Sequence, residues 1–315
     1  MTPSPAPVVT IIVPGYDVGP WAAEALSSLE AQTLPTWQAI LVDDASTDDT
    51  GRIFADAAAR DERFRLVRHD ARRGLGAARN TALDLVDTPF VGFLDADDRM
   101  RPRALERLVD SLDASGSDVA VGAYVRLRPD GAGGYTPGTV QPWVRSATDP
   151  VRTGTSLREH PQVAGNIVAW SKVSCIDLWR RAGLRFPVGK AYEDQVVAQL
   201  LYAHARGIDV VPDVVVEWRE RADGSSITQH RERLDVLNDY LEALEAGIGV
   251  LDASGHTAAA RARVDLILAM DLPPLVTIAR THPDTRYRRA LGAFVRRLAD
   301  RGGAPDDDVA PALLW

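Results

Sequence analysis

The sequence predicts an α/β fold, in which a mostly parallel sheet carries helices on both faces. Through the first 125 residues, apolar runs rich in β-branched residues alternate with helix-like segments. Successive positions of these runs are apolar, which is typical of strands that helices cover from both sides. Right-handed crossovers between such strands give a Rossmann-like, doubly wound layer.

Five strands and four helices make up this alternation. The strands are predicted at residues 8–13, 37–42, 64–67, 90–94 and 119–125. The helices between them are predicted at residues 21–32, 50–60, 75–86 and 102–114. Helix-capping residues agree, because a Ser-Thr-Asp-Asp run precedes the second helix and Pro102 lies near the start of the fourth.

The alternation stops after residue 125. A Gly- and Pro-rich stretch at residues 128–142 predicts a loop or a loose hairpin. Helical spacing follows at 172–181 and 194–205, and a strand interrupted by Pro212 is predicted at 210–218. Beyond His230 the pattern is helical, with breaks at the prolines near residues 273 and 283.

Composition excludes several classes of protein. The chain has 315 residues, of which 45% are hydrophobic and 25% charged, so it is neither disordered nor fibrous. A net charge of −8 repels phosphate backbones, and we expect no nucleic-acid partner. Cys175 is the single cysteine, and no run approaches the ~18 to 20 apolar residues that span a bilayer. We therefore expect a cytoplasmic protein.

Polar clusters follow the first two predicted strands, at the strand ends where open α/β sheets bind ligands. Pro14 and Tyr16 lie in the turn after the first strand, where the Tyr16 ring could stack on a base. Asp44 follows the second strand, and its carboxylate can accept a hydrogen bond from the N3–H of uracil. The alternative is that Asp43 and Asp44 only form an Asp-rich turn and helix cap.

An acidic cluster ends the fourth predicted strand. In extended chain Asp95 and Asp97 point to the same side, so both can address one divalent cation. A cation that also held a diphosphate would neutralise the charge on a leaving nucleotide diphosphate. The alternative is a solvated turn, because an isolated Asp-x-Asp is a weak signal.

Two further segments carry candidate chemistry. Glu193 and Asp194 open the helix at 194–205, where an ionised Asp can act as a general base or only cap the helix. Arg79, near the start of the third helix, could reach a diphosphate or tie the acidic strand ends together. The glycines at 74–76 do not match the dinucleotide fingerprint, which disfavours a Rossmann oxidoreductase.

Taken together, these clusters resemble the family 2 glycosyltransferases. The matching motifs lie in order at residues 13–17, 42–50, 74–80, 94–98 and 192–194, and the resemblance covers roughly residues 8–230. The chain is similar to soluble bacterial glycosyltransferases of wall teichoic acid, capsule and exopolysaccharide synthesis. The resemblance implies a GT-A fold, a nucleotide-diphosphate sugar donor, Mn²⁺ or Mg²⁺, and inversion at the anomeric carbon in one displacement.

The resemblance also implies a role for each motif residue. The nucleotide sugar would be held by residues from several strand and helix ends: Pro14, Tyr16, Asp44, Arg72, Arg79, Asp95 and Ser226. Asp97, together with Asp95, would bind the metal of this Asp-x-Asp (DXD) motif. Asp194 would be the general base that takes the acceptor proton, with Glu193 beside it.

The implied domain organisation follows the extent of the resemblance. A flexible tail at 1–7 precedes a GT-A catalytic domain at 8–230, and a helical C-terminal region occupies 231–315. Within the catalytic domain, 8–125 would be the nucleotide-binding half and 126–230 the acceptor half.

The implied function is transfer of one sugar per encounter from a UDP-sugar to a hydroxyl of a cell-surface glycan, a polyol-phosphate or a lipid-linked acceptor. The Gln-x-x-Arg-Trp element of processive synthases is absent. The sequence leaves open two alternatives, a sugar-phosphate nucleotidyltransferase and a catalytically silent nucleotide-sugar-binding module. It leaves the oligomeric state open as well.

Two surfaces are candidates for the acceptor side. The aromatic rings of Trp143, Trp170 and Trp179 suit sugar faces, although buried tryptophans are commoner. The helix at 286–301 has an apolar face bordered by arginines, which suits peripheral contact with an anionic membrane. The favoured alternative is a helix packed on its own domain.

Overall fold

The computed structural model describes residues 6–222 and 230–315, and its fold is of the α/β class. The described strands are β1 (Val9–Gly15), β2 (Trp37–Asp43), β3 (Phe64–Arg68), β4 (Phe90–Phe93), β5 (Arg99–Met100), β6 (Val119–Pro129), β7 (Tyr135–Pro137), β8 (Arg152–Thr155), β9 (Lys172–Cys175) and β10 (Ile208–Arg219).

The described α-helices lie between and after these strands. They are α1 (Gly19–Glu30), α2 (Thr50–Arg60), α3 (Leu75–Leu83), α4 (Ala104–Ser115), α5 (Pro142–Thr148), α6 (Ile176–Arg181), α7 (Asp194–His204), α8 (Leu234–Ala253), α9 (Thr257–Leu266), α10 (Leu272–Thr281) and α11 (Thr285–Asp300).

All ten described strands belong to one sheet. Its order is β3-β2-β1-β4-β9-β6-β10-β5, with β7 added to β6 and β8 added to β10. Strands β3, β2, β1 and β4 run parallel, and β6 and β10 continue in the same direction on the far side of β9. The sheet is therefore mostly parallel, and its parallel strands end at a common edge.

The structure confirms the alternating first half and the hairpin. Every residue of β1 is buried, as expected for a strand with helices on both faces. The hairpin predicted at 128–142 is formed where β7 pairs with the end of β6. Strand β10 continues past Pro212, and its register against β6 shifts between Val211 and Val214.

Two predictions about secondary structure are wrong. Residues 172–181 are not one helix, because Lys172–Cys175 forms β9, an antiparallel strand between β4 and β6, and α6 begins at Ile176. The chain also does not break before Pro273, since a π-helical turn at Ile267–Asp271 leads directly into α10.

The C-terminal helices share the hydrophobic core of the sheet. The apolar face of α11 packs within the protein, where Leu291 and Phe294 are fully buried. Its basic flank is partly paired, since Arg297 forms a 2.8 Å ion pair with Glu245 of α8. The alternative in which this helix packs on its own domain is therefore the one observed, and its apolar face is not available to a membrane.

A bilayer-spanning helix, which would have to be both long and apolar, is not found within 6–222 and 230–315.

Helix α3 lies unusually close to the segment before α7. A Cβ added to Gly76 would lie 2.1 Å from the carbonyl oxygen of Pro187. The side chain of Asn80 also exchanges two hydrogen bonds with the backbone of Phe186, at 2.8 and 2.9 Å. Only a residue without a side chain permits this approach, which brings the start of α3 next to the start of α7.

Replacement of Gly76 by alanine should therefore destabilise the protein. Because the clash is with backbone, we expect Gly76→Ala to lower the free energy of unfolding by about 1–3 kcal/mol, as overpacking does. Urea denaturation measures this change. Gly249→Ala in α8 is the matched control, since a Cβ there meets nothing within 4 Å. It should stabilise by up to about 1 kcal/mol, and equal stability of the two variants would contradict the prediction.

Candidate active site

The carboxyl ends of β1, β2 and β4 open into one cleft with a volume of about 1110 Å³. Nine predicted site residues line it: Pro14, Tyr16, Asp44, Arg72, Arg79, Asp95, Asp97, Glu193 and Asp194. Ser226 lies outside the described residues. The cleft therefore brings together residues that are up to 180 positions apart in the chain, from Pro14 to Asp194.

Tyr16 and Arg72 form one end of the cleft. The Arg72 guanidinium lies 4.0 Å from the centroid of the Tyr16 ring, in a cation–π contact. The turn that carries Tyr16 is held by Asp17, whose backbone has a φ of 48° and whose carboxylate accepts a 2.8 Å hydrogen bond from the Thr47 amide. The aromatic ring of Tyr16 and the exposed guanidinium of Arg72 are thus both available to a planar ligand at this end of the cleft.

Asp44 is buried and held by several donors. Its Oδ1 accepts hydrogen bonds from His69 Nδ1 at 2.6 Å and from the Arg73 amide at 2.8 Å, and its Oδ2 accepts from the Gly74 amide at 2.7 Å. A carboxylate has about four acceptor sites, so one remains for a ligand. Asp43 differs, because its Oδ1 accepts a hydrogen bond from the Ser46 amide at 2.9 Å. This contact stabilises the Asp-rich turn, which is the alternative role that the sequence left open for Asp43.

Arg79 is 2% exposed and bridges two acidic segments. Its Nη2 donates to Asp95 Oδ1 at 2.7 Å, and its Nη1 donates to Glu193 Oε1 at 2.6 Å. The guanidinium also packs 5.1 Å from the ring centroid of Phe186. Of the two roles that the sequence left open for Arg79, the structure shows the ion pair, which ties the end of β4 to the start of α7.

Two arginines from the end of β10 contact the acidic cluster. Arg221 forms a 2.7 Å ion pair with Asp97 Oδ2. Arg219 donates from Nε to the Asp97 carbonyl at 2.6 Å, and its backbone amide donates to Asp98 Oδ1 at 2.7 Å. The acidic turn is therefore fixed by a strand more than 120 residues away in the chain.

Negative charge is crowded at this turn. Burial raises the pKa of Asp97, Arg221 opposes that rise, and Asp95 adds to it. Burial and the same two carboxylates, Asp97 and Asp95, raise the pKa of Asp98, whose Oδ2 is buried without a hydrogen-bond partner. Such carboxylate oxygens suit a hard divalent cation.

Within the described ranges, no group of three or more His, Cys, Asp or Glu side chains could hold a metal ion. The carboxylates of Asp95 and Asp97 fit a cation whose other ligands come from a bound diphosphate.

Glu193 and Asp194 have different surroundings at the start of α7. Glu193 is buried and bound to Arg79; burial raises its pKa to about 7, although Arg79 opposes the rise. The Asp194 carboxylate forms no ion pair in the part of the chain that the structure describes, and it faces the cleft. Burial raises the pKa of Asp194 as well, against the opposing charges of Arg79 and Lys172. Both carboxylates line the cleft, and Glu193 is the one that Arg79 occupies.

Residues 10–158 match the model of glycosyl transferase family 2. The uncharacterised glycosyltransferase EpsJ of Bacillus subtilis is 27% identical over 89% of this chain and 80% of its own length. Glycosyltransferase GlyA of Streptococcus pneumoniae is 30% identical over 83% of this chain but only 38% of its own length.

Residues 10–158 of the chain thus form a region similar to glycosyltransferase family 2.

Solved structures agree on the fold of this glycosyltransferase. TarS 1–349 of S. aureus, solved in complex with UDP-GlcNAc, superposes with a TM-score of 0.72 over 92% of this chain and 81% of its own, at 20% identity. The mannosyltransferase PcManGT of Pyrobaculum calidifontis, in complex with GDP-Man and Mn²⁺, superposes with a TM-score of 0.52 over 95% and 88% at 21% identity. These likenesses confirm the GT-A fold.

An aromatic wall lines the other side of the cleft in the glycosyltransferase. Trp143 and Trp170 are part of it, as is Trp218, which stacks on Trp170 with ring centroids 6.5 Å apart. Tyr124 meets Trp170 edge-on at 4.7 Å. Trp179 does not line the cleft, because it is buried against Phe93 and Phe186 in the core.

The sequence interpretation missed several residues of the site. His69 holds Asp44 and lies directly after β3, at the same sheet edge, which is a signal that could have identified it. Arg219 ends β10 and Arg221 follows it, so their position at the sheet edge is also visible in the sequence. Their contacts with Asp97 are not, because they depend on the tertiary fold. Tyr240, Arg263 and other residues of the C-terminal helices also line the cleft.

Loss of the Arg79 bridge should be strongly destabilising. Arg79→Met would leave Asp95 and Glu193 without their buried counter-charge, and breaking a buried pair costs about 3–5 kcal/mol. Arg52→Met is the matched control, because Arg52 is 62% exposed in its two ion pairs. It should cost less than about 1 kcal/mol. Urea denaturation compares them, and similar losses for both variants would show that the bridge does not stabilise the fold.

Proposed function

We propose that this glycosyltransferase moves a sugar from a UDP-sugar to a hydroxyl of a cell-surface glycan, polyol-phosphate or lipid-linked acceptor, with inversion and one sugar per encounter. One observation carries the proposal: a single cleft joins the Tyr16 end, the carboxylates of Asp95 and Asp97, and the carboxylate of Asp194. These are the parts needed for a nucleoside, a diphosphate with its cation, and an acceptor proton.

The nucleoside would bind at the Tyr16 end. The Tyr16 ring supplies a stacking face, and Pro14 lines the cleft as well. Asp44 keeps one acceptor site for the imino N–H of a base. Arg72 would cover the base or approach the phosphates. UDP is favoured as the nucleotide because the structural neighbour TarS has been solved with UDP and with UDP-GlcNAc.

Asp97 and Asp95 would hold Mn²⁺ or Mg²⁺ together with the donor diphosphate. The bound cation would neutralise the charge that develops on the leaving UDP. Arg221 pairs with Asp97 Oδ2 at 2.7 Å, so it and the cation would share this carboxylate. The neighbour PcManGT, solved with GDP-Man and Mn²⁺, supports a metal in this fold.

Asp194 would act as the general base. Its carboxylate takes the proton of the acceptor hydroxyl, whose oxygen forms a bond to the anomeric carbon as the bond from that carbon to the diphosphate breaks. Attack opposite the leaving group inverts the anomeric configuration. Glu193 is less suited to this role because Arg79 occupies it at 2.6 Å.

The two halves of the domain would divide the substrates. Residues 8–125 supply Tyr16, Asp44 and Asp97, whereas residues 126–230 supply the aromatic wall and Asp194. We propose that the wall of Trp143, Trp170 and Trp218 receives the acceptor sugar, since aromatic faces pack on sugar rings. The helices of 231–315 close the same cleft through residues such as Tyr240 and Arg263.

Cell-envelope polysaccharide is the favoured acceptor class. A putative teichuronic acid biosynthesis glycosyltransferase of Bacillus subtilis, TuaG, is 31% identical over 40% of this chain. The family match sets aside the nucleotidyltransferase alternative. A catalytically silent binding module is distinguished from an active enzyme by the two experiments below.

Binding of UDP should depend on both metal and Asp97. Calorimetric titration of UDP is expected to show binding with Mn²⁺ and little without it, and Asp97→Ala should weaken the metal-dependent binding at least tenfold, or about 1.4 kcal/mol. Asp177→Asn is the control, because that side chain is 82% exposed. Binding of CDP, GDP or dTDP instead of UDP would overturn the choice of nucleotide, and metal-independent binding would overturn the role of Asp97.

Loss of the base should abolish transfer but not donor binding. Asp194→Asn keeps the size of the side chain and removes its ability to accept a proton, so we expect transfer to fall by about 100- to 10,000-fold. UDP affinity should remain within about twofold of wild type. Release of UDP from a panel of UDP-sugars in the presence of envelope polysaccharide measures transfer. Near-wild-type transfer by Asp194→Asn would refute the assignment, and no transfer by wild type despite UDP binding would indicate a silent module.

A further inference from the structure

A buried lysine lies behind the wall of the cleft. Lys172 is on β9, is 4% exposed and does not line the cleft. Its ammonium donates to Asn166 Oδ1 at 2.7 Å and to the carbonyl of Val168, and it lies 5.5 Å from the ring centroid of Tyr202. No carboxylate within residues 6–222 and 230–315 forms an ion pair with it.

A small cavity joins Lys172 to Asp194. Its volume is about 20 Å³, and its polar lining residues are Lys172, Ser174 and Asp194. The rest of the lining is apolar or aromatic, including Val168, Phe186 and Leu201, so little screens the two charges from each other across it. Asp194 and Val168 line both this cavity and the cleft. Asp194 therefore lies between the cleft and the cavity that contains Lys172.

The charges of the two residues act on each other. Burial lowers the pKa of Lys172 to about 7, and the charge of Asp194 opposes that fall. Burial raises the pKa of Asp194, with Asp95 adding to the rise, whereas Arg79 and Lys172 lower it. An ammonium that is buried with only two neutral hydrogen-bond acceptors destabilises the protein. The Asp194 carboxylate across the cavity offsets part of this free-energy cost.

We propose that Lys172 is a positioning residue for Asp194, whose carboxylate it keeps ionised and oriented from behind the cleft through the small cavity. This inference rests on the proposed function, in which Asp194 is the general base. Lys172 does not touch the substrate in this arrangement, and its effect reaches the acceptor proton only through Asp194.

Other charged groups face the same pair. Asp194 is influenced from α3 by Arg79, from the end of β4 by Asp95, and from the residue before α7 by Glu193. Tyr124 of β6 and Tyr192 also interact with its charge. Lys172 is faced by Asp194 and by Tyr202, both on α7. Arg79 remains when Lys172 is changed, so removal of Lys172 is expected to shift the titration of Asp194 rather than abolish its ionisation.

The direct test is the titration of the Asp194 carboxyl in the full chain. With ¹³C-carboxyl-labelled aspartate, Asp194→Asn identifies the resonance, and its NMR titration is followed in wild type, Lys172→Met and Lys172→Arg. Loss of the cation should raise the midpoint by about one pH unit, the lower end of the effect of a neighbouring charge. Lys172→Arg should restore the wild-type midpoint. An unchanged midpoint in Lys172→Met would overturn the proposal.

A second uncharged variant guards against misfolding. If Lys172→Met does not fold, Lys172→Gln retains a donor for Asn166 without the charge and is titrated in its place. If the Asp194 midpoint rises in Lys172→Arg as much as in the uncharged variant, packing around residue 172, and not its positive charge, sets the midpoint. This result would also overturn the proposal.

Activity gives an independent readout. In UDP release from a UDP-sugar, the acidic limb of the kcat/KM profile of Lys172→Met should move up by the same pH interval, a tenfold loss on that limb. The profiles of variant and wild type should converge above about pH 8, because Lys172 loses its own charge near pH 7. If Asp194→Asn retains transfer, Asp194 is not the general base, and if wild type shows no transfer, the proposed function fails; in both cases the NMR titration still decides whether Lys172 acts on the Asp194 carboxylate.

Discussion

The buried guanidinium of Arg79 is the contact on which the geometry of the site depends. It joins the acidic end of β4 to the first turn of α7 by two hydrogen bonds, to Asp95 and to Glu193. These segments are far apart in the chain and both are negatively charged, so without a cation between them they would repel. The close approach of α3 at Gly76 delivers Arg79 to this position. The close packing at Gly76 and the ion pairs of Arg79 thus hold α3, the end of β4 and the start of α7 together.

The negative charge of the site is only partly neutralised by the arginines around it. Arg79 and Arg221 each pair with an acid of the Asp95–Asp97 turn, yet the pKa of Asp97 is still raised, because burial outweighs the charge of Arg221. Burial of carboxylates costs free energy, which a cation, a proton or hydrogen bonds can offset. An arriving cation with a diphosphate would offset this cost, so the arrangement favours binding of the two together.

The sequence was sufficient to predict the parallel half of the sheet and the residues at its strand ends. Asp44 and Asp97 could be assigned to one site because carboxyl ends of parallel strands share an edge. Strand β9 could not be predicted, since four residues, Lys-Val-Ser-Cys, are too few to reveal a period. Lys172 was missed for a related reason: lysines are seldom buried, and only the tertiary fold places this one behind Asp194.

Adjacent carboxylates acquire different roles at the start of α7 because consecutive residues of a helix point about 100° apart. Glu193 pairs with Arg79, whereas Asp194 lines both the cleft and the small cavity behind it. Tyr192 sets this orientation from a left-handed conformation, with a φ of 58°, which costs about 1–3 kcal/mol. Its ring packs against Tyr240 of α8 at 4.3 Å. The C-terminal helices therefore help to hold the turn that precedes Glu193 and Asp194.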